Sequence, residues 1–175
     1  YLPTIEKSAR SGRLRFVTLT TRNAPMGGLA TAWDEIWNAW TKLRKSDCWT
    51  ASGALAAFEV TYSDYDGGSW NAHLHVLCVV PRGVDFSYRR IQAKWEEITG
   101  APIVDFEQVR SSSPDGLVSG LHEVLKYVSK FDDLAAMPDE AFSEWFEFMH
   151  GRRALRSYGQ WYRLQDLDLD EEEPV

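Results

Sequence analysis

The chain has little of several things that would have narrowed its class early. It carries two cysteines, Cys48 and Cys78, in 175 residues. Their separation matches no metal-binding motif, and two thiols do not make a disulfide framework. A reducing, cytoplasmic setting follows from that usage. No apolar run approaches the roughly 20 residues needed to cross a bilayer, and the first residues do not read as a signal or transit peptide. The chain starts at Tyr1 rather than Met, as an excised or processed piece would. There is no internal repeat and no Gly/Ser/Pro-rich linker, so one domain is the simplest organisation. With 44% hydrophobic and 13% aromatic residues, the chain has enough apolar surface for a real core and is not disordered.

It also lacks an excess of positive charge. The net charge is −7, with 19 basic and 26 acidic residues, which argues at first against a nucleic-acid partner. The acids are unevenly placed, however. Asp166, Asp168, Asp170, Glu171, Glu172 and Glu173 crowd the last ten residues, and the preceding 165 hold 20 acids against 19 bases. We therefore expect a near-neutral body over residues 1–165 and a disordered acidic tail over 166–175, which would compete with DNA for the basic segment before it.

Periodicity sorts the rest of the body into elements. Strand-type alternation covers Leu14–Arg22, Ala54–Ser63 and Asn71–Val80. The latter two are joined by a turn cluster around Gly67-Gly68, so they read as a hairpin. Pro102–Val109 is a further strand, and Ala154–Leu164 reads as one more. Helical spacing appears in Leu29–Lys45, where Trp33, Ile36, Trp37, Trp40 and Leu43 form a core stripe, and again in Tyr88–Ile98 and Leu117–Phe131. Asp139–Met149 is also helical, with Phe142, Trp145, Phe146 and Met149 as its apolar face. The order predicts an α+β fold: a central antiparallel sheet of about five strands with helices packed on it.

Three groups of residues carry chemistry. His73 and His75 alternate along one strand and so share a face. Folding the hairpin about Gly67 places Glu59 directly across from His75, and a slip of two residues would keep the same face. Two imidazoles and a carboxylate suit a divalent ion such as Mn²⁺ or Mg²⁺, although Zn²⁺ is also compatible. Satisfied structural histidines and a paired glutamate would give the same pattern. On the helix Leu117–Phe131, Glu123, Tyr127 and Lys130 form a stripe apart from its apolar face. The phenol is a potential nucleophile, the carboxylate a base, and the ammonium a phosphate ligand; an ordinary solvated face is the alternative. Thr18 and Thr20 alternate on the first strand and would either meet DNA or steady the metal ligands. Arg152, Arg153, Arg156 and Arg163, interleaved with Tyr158, Trp161 and Tyr162, form a basic-aromatic cluster of the kind that binds a single strand, or that simply finishes a sheet.

The ordered set Phe16-Val-Thr-Leu-Thr20, the Glu59 strand, His73-Leu-His75 and Glu123-Val-Leu-Lys-Tyr127-Val-Ser-Lys130 resembles the HUH endonucleases. Within them it is most similar to plasmid rolling-circle replication initiators that use a single tyrosine. No third histidine follows His75, so the conjugative relaxases fit less well, with an HUH transposase or relaxase relative kept as an alternative. The resemblance implies an HUH-type nicking and joining domain over residues 1–165, with a metal on Glu59, His73 and His75. It implies that Tyr127 attacks a phosphate of single-stranded or hairpin origin DNA to leave a 5′-phosphotyrosine and a free 3′-hydroxyl, assisted by Lys130. Glu123 would then serve as the base that ends the reaction, and host helicase and polymerase would be partners in a bacterial cytoplasm. A catalytically silent origin-binding module and a metal hydrolase without covalent chemistry are the competing classes.

Overall fold

The computed structural model describes residues 7, 12–64, 67–101, 103–108 and 137–162. The predicted helix Leu117–Phe131, Arg163 and the acidic tail lie outside the described residues.

Alternating apolar residues build β1 (Gly12–Thr20), a short β2 (Ala24–Pro25), β3 (Gly53–Ser63), β4 (Ser69–Pro81), β5 (Val104–Gln108) and β6 (Leu155–Gly159). Helices α1 (Leu29–Arg44), α2 (Tyr88–Thr99) and α3 (Asp139–Met149) interrupt them. The strands form one six-stranded sheet in the order β5-β1-β4-β3-β6, with β2 paired to the start of β4. Every pairing is antiparallel, so the expected α+β architecture is the observed one.

The two faces of the sheet are unequal. One carries Val17, Leu19, Ala56, Phe58, Leu74 and Val76 and packs against the helices in the larger core. The stripe Trp33, Ile36, Trp37, Trp40 and Leu43 of α1 is buried there, as packing at helical spacing requires. The opposite face holds a smaller cluster of Leu14, Phe16, Leu55, Ala57, Leu77, Val79 and Trp161. Because β4 alternates, His73 and His75 share that second face with Leu77 and Val79, while Leu74, Val76 and Cys78 enter the core under the helices.

Two details differ from the sequence reading. The hairpin closes with Ser63 opposite Ser69, so Glu59 faces His73 and Ala57 faces His75. This is a two-residue shift from the expected register, and it leaves every side chain on its predicted face. Gly67 and Gly68 both adopt positive φ, and a Cβ on Gly68 would strike the Tyr62 hydroxyl, so the glycine pair sits on the descending side of the turn rather than at its centre.

The second concerns α3, which has the predicted bounds but is rotated. It packs through Ala141, Trp145, Phe148 and Met149, leaving Phe142 42% and Phe146 55% exposed. Its orientation matches the task of Glu144. That carboxylate accepts hydrogen bonds from the backbone N–H of Gly27 (2.8 Å) and Leu29 (2.9 Å) and from the Trp70 indole (2.8 Å). Helix α1 has no side-chain cap of its own, so Glu144 serves as its cap from a distant part of the chain.

Candidate metal and nucleic-acid site

The central strands β1, β4 and β3 present two adjacent cross-strand rows on the face away from the helices. One row is Thr20–His73–Glu59 and the next is Thr18–His75–Ala57. The period-2 alternation of three strands creates these rows without any special loop.

Each histidine is held by a threonine of β1. The Thr20 hydroxyl and His73 Nδ1 are hydrogen-bonded at 2.9 Å, and the Thr18 hydroxyl and His75 Nδ1 at 3.2 Å. Both imidazoles are thus oriented through the same ring nitrogen. Their centroids lie 6.1 Å apart, and Phe16 stacks on His75 at 5.9 Å.

Glu59 does not bond the histidine it faces through this contact. Its Oε2 reaches diagonally to Nε2 of His75, at 2.8 Å. The direct neighbour of His75 on β3 is Ala57, whose methyl leaves room for that reach, and diagonal partners across a sheet lie within range of a long side chain. The pair is deeply placed, with His75 4% and Glu59 9% exposed. A neutral His75 donates its Nε2–H to the carboxylate, so Nδ1 accepts from the Thr18 hydroxyl. Moving that proton to Nδ1 would only require the hydroxyl to turn and accept, which a threonine can do.

Among the described residues, no group of three or more His, Cys, Asp or Glu side chains is gathered closely enough to hold a metal ion as it stands. The donor set nevertheless suits one chemically. It offers two imidazoles fixed through Nδ1, as ligating histidines are, beside a carboxylate on the same face. Glu123, Tyr127 and Lys130 lie outside the described residues.

The predicted DNA-binding arginines sit elsewhere. Arg156 pairs with Ala56 of β3, whose side chain enters the core under the helices, so Arg156 projects to the helix side of the sheet. Its guanidinium lies 4.0 Å from the Trp37 ring centroid, and that of Arg152 lies 3.9 Å from Phe148. Arg152 and Arg153 are exposed. The structure therefore separates the His/Glu group from Arg152 and Arg156 by the thickness of the sheet. Sequence reasoning passed over Arg44, which lies 4.4 Å over Tyr158, and Glu144; the only signal for Arg44 was its place at the basic end of α1.

Fold and site together define an α+β protein with a polar His/Glu/Thr group on one face of an antiparallel sheet. The chain belongs to the Replication protein (Rep_1) family, whose model matches residues 1–174. It is 30% identical over 148 residues to the protein named Protein rep of Lentilactobacillus hilgardii, covering 77% of this chain and 46% of that one. It is also 30% identical over 144 residues to Protein rep of Lactiplantibacillus plantarum, covering 74% and 45%. The chain thus spans under half the length of these curated relatives. No solved structure matches it.

Proposed function

We propose that this chain is the HUH-type nicking and joining domain of a replication initiator, acting on single-stranded or hairpin origin DNA. The observation that carries the reading is the pair of histidines held through Nδ1 by Thr18 and Thr20 beside the Glu59 carboxylate, in a member of a replication-protein family.

In this reading Glu59, His73 and His75 hold a divalent ion, Mn²⁺ or Mg²⁺, which when bound supplies Lewis acidity toward the scissile phosphate. For these residues to hold it, the His75 Nε2–Glu59 hydrogen bond would have to open, with the Thr18 hydroxyl turning to accept from Nδ1. Tyr127 attacks phosphorus, forming a tyrosyl O–P bond as the P–O3′ bond breaks, and the departing oxygen takes up a proton as the 3′-hydroxyl. Lys130 neutralises charge on the phosphate. Glu123 accepts a proton from water when the phosphotyrosine is hydrolysed, and rejoining reverses the first step. Arg152, Arg153 and Arg156 contribute DNA contacts. Residues 1–165 act as the catalytic unit, and helicase and polymerase act on the strand it opens.

The decisive experiment incubates the protein with single-stranded origin DNA and Mn²⁺ and looks for an adduct that survives denaturation. Wild type should form it and Tyr127→Phe should not; an adduct in the variant would refute the nucleophile.

A second reading, origin-DNA binding without cleavage, is favoured by a specific observation. The Glu59 carboxylate is engaged with His75, and the described residues carry no gathered metal cluster. For the described part of the chain, DNA handling is the better supported half of the function. Tight origin binding with neither adduct nor cleavage under any divalent ion would establish that reading.

A further inference from the structure

The arginines on the helix side form a continuous strip. Arg44 at the end of α1 lies over Tyr158 of β6, Arg156 lies over Trp37 and, at 5.4 Å, Trp33, and Arg152 lies over Phe148 and, at 5.9 Å, Trp33. Arg153 stands exposed between the last two in sequence. The rings beneath are fixed by the core: Trp33 and Trp37 are one helical turn apart and 4% and 5% exposed. Planar guanidinium groups on such rings are held in place with little remaining freedom.

What the strip lacks is an anion. No carboxylate lies within 4.0 Å of Arg44, Arg152, Arg153 or Arg156 among the described residues. The side-chain hydrogen bonds of Arg152 and Arg156 run from Nε to the carbonyls of Phe148 and Arg153, the second at the outer limit of 3.5 Å. Arg44 Nε is buried without a hydrogen-bond partner among the described residues. Three guanidinium groups thus sit on neighbouring rings, with Arg153 next to one of them in sequence, in a chain whose net charge is −7, and among the described residues their terminal nitrogens meet no protein acceptor.

We infer that this strip binds the phosphate backbone of duplex DNA flanking the nick site, on the face of the sheet opposite His73 and His75. The inference rests on the proposed role in origin DNA handling and assigns the double-stranded part of that DNA to a second surface. Duplex rather than single-stranded DNA follows from the rings. Single-strand sites combine cations with open aromatic faces on which bases stack. Here Trp33 and Trp37 are almost wholly buried under the guanidinium groups, so those cations offer charge with no open ring beneath them, and the exposed rings of α3, Phe142 and Phe146, stack on each other instead. From Trp33 to Arg44 helix α1 advances about 16 Å, along which one strand of a duplex presents roughly five phosphates.

The test measures binding of a labelled mixed-sequence duplex and of an oligo-dT strand as salt is raised. All proteins carry Tyr127→Phe, so the outcome is independent of whether nicking occurs. Arg152→Gln with Arg156→Gln should weaken duplex binding about tenfold or more at low salt and flatten the log–log salt dependence by about 1.8, the contribution of two phosphate contacts. Oligo-dT binding should change much less. Replacing both by lysine should restore the salt slope. Arg153 touches no ring among the described residues, so Arg153→Gln should lower the slope by about 0.9 without disturbing packing, and it decides the matter if the double variant fails to fold. An unchanged slope would overturn the inference, as would equal losses on duplex and oligo-dT.

Discussion

The Glu59 carboxylate and the His75 imidazole meet diagonally across two strands at 2.8 Å, although the residue directly opposite Glu59 is His73. One carboxylate thus joins two neighbouring rows of the sheet. Removing it with Glu59→Ala deletes a hydrogen bond in a site less than a tenth exposed, and should cost about 1–3 kcal/mol of stability. Glu59→Gln should recover much of that stability. If Glu59 is a metal ligand, neither variant should recover Mn²⁺ affinity, because a neutral amide is a poor substitute for a carboxylate. Denaturant titration beside calorimetric Mn²⁺ titration separates the two effects. Wild-type Mn²⁺ affinity in Glu59→Gln would remove the residue from the metal site.

Thr18 and Thr20 fix the ring orientation from behind. Replacing either by valine keeps the shape and strand preference but removes the hydroxyl at Nδ1. We expect Thr20→Val to weaken Mn²⁺ binding by about 10–100-fold while changing stability by only about 1 kcal/mol. The 15N chemical shifts of the His73 ring should report the altered tautomer directly. Unchanged shifts and affinity would mean that strand propensity alone explains the threonine.

The shared face of Thr18, Thr20, Glu59, His73 and His75 was legible because side chains alternate along a strand whatever its register. The register itself was not. A turn cluster marks where a chain reverses but not which residue lies at its centre, and here both glycines fall on one side of the reversal. The helices were legible wherever the core decided their orientation, as in the tryptophan stripe of α1. The rotation of α3 was hidden because a carboxylate, not an apolar residue, is among its inward-facing positions. Likewise Arg152 and Arg156 read as part of a basic-aromatic cluster and Arg44 was passed over, since nothing local reveals that their neighbours in space are the rings of α1, α3 and β6. The family match, in contrast, agrees with the ordered motifs read from the sequence.

Glu144 connects α3 to the start of α1 through three donors, one of them the indole of Trp70, which is 0% exposed. Glu144→Ala should therefore cost about 2–4 kcal/mol, combining a lost helix cap with a buried unsatisfied N–H. Trp70→Phe removes one donor, so in the double variant part of the penalty should disappear. Denaturant midpoints of the four proteins give the coupling directly. A Glu144→Ala cost below about 0.5 kcal/mol, the usual range for surface substitutions, would show that water replaces the carboxylate.

Cys78 lies on β4 between Leu77 and Val79 and is 0% exposed. Burial pushes its thiol well above the ordinary range, a shift only partly opposed by the nearby Arg15. The native state therefore keeps this proton at pH values where the unfolded chain, with a thiol pKa near 8.5, has lost it. Unfolding then releases a proton, so stability falls as pH rises above about 8.5, with a limiting slope of about 1.4 kcal/mol per pH unit from this residue. Below that range the thiol is protonated in both states and contributes no slope. Cys78→Ala will lower stability at every pH through lost packing, but it should also flatten the alkaline decline. The difference in slope between the two proteins from pH 8 to 10 is the measurement, because the other titrating groups are common to both. Parallel curves would place the thiol in a far less dry environment than its position in the core implies.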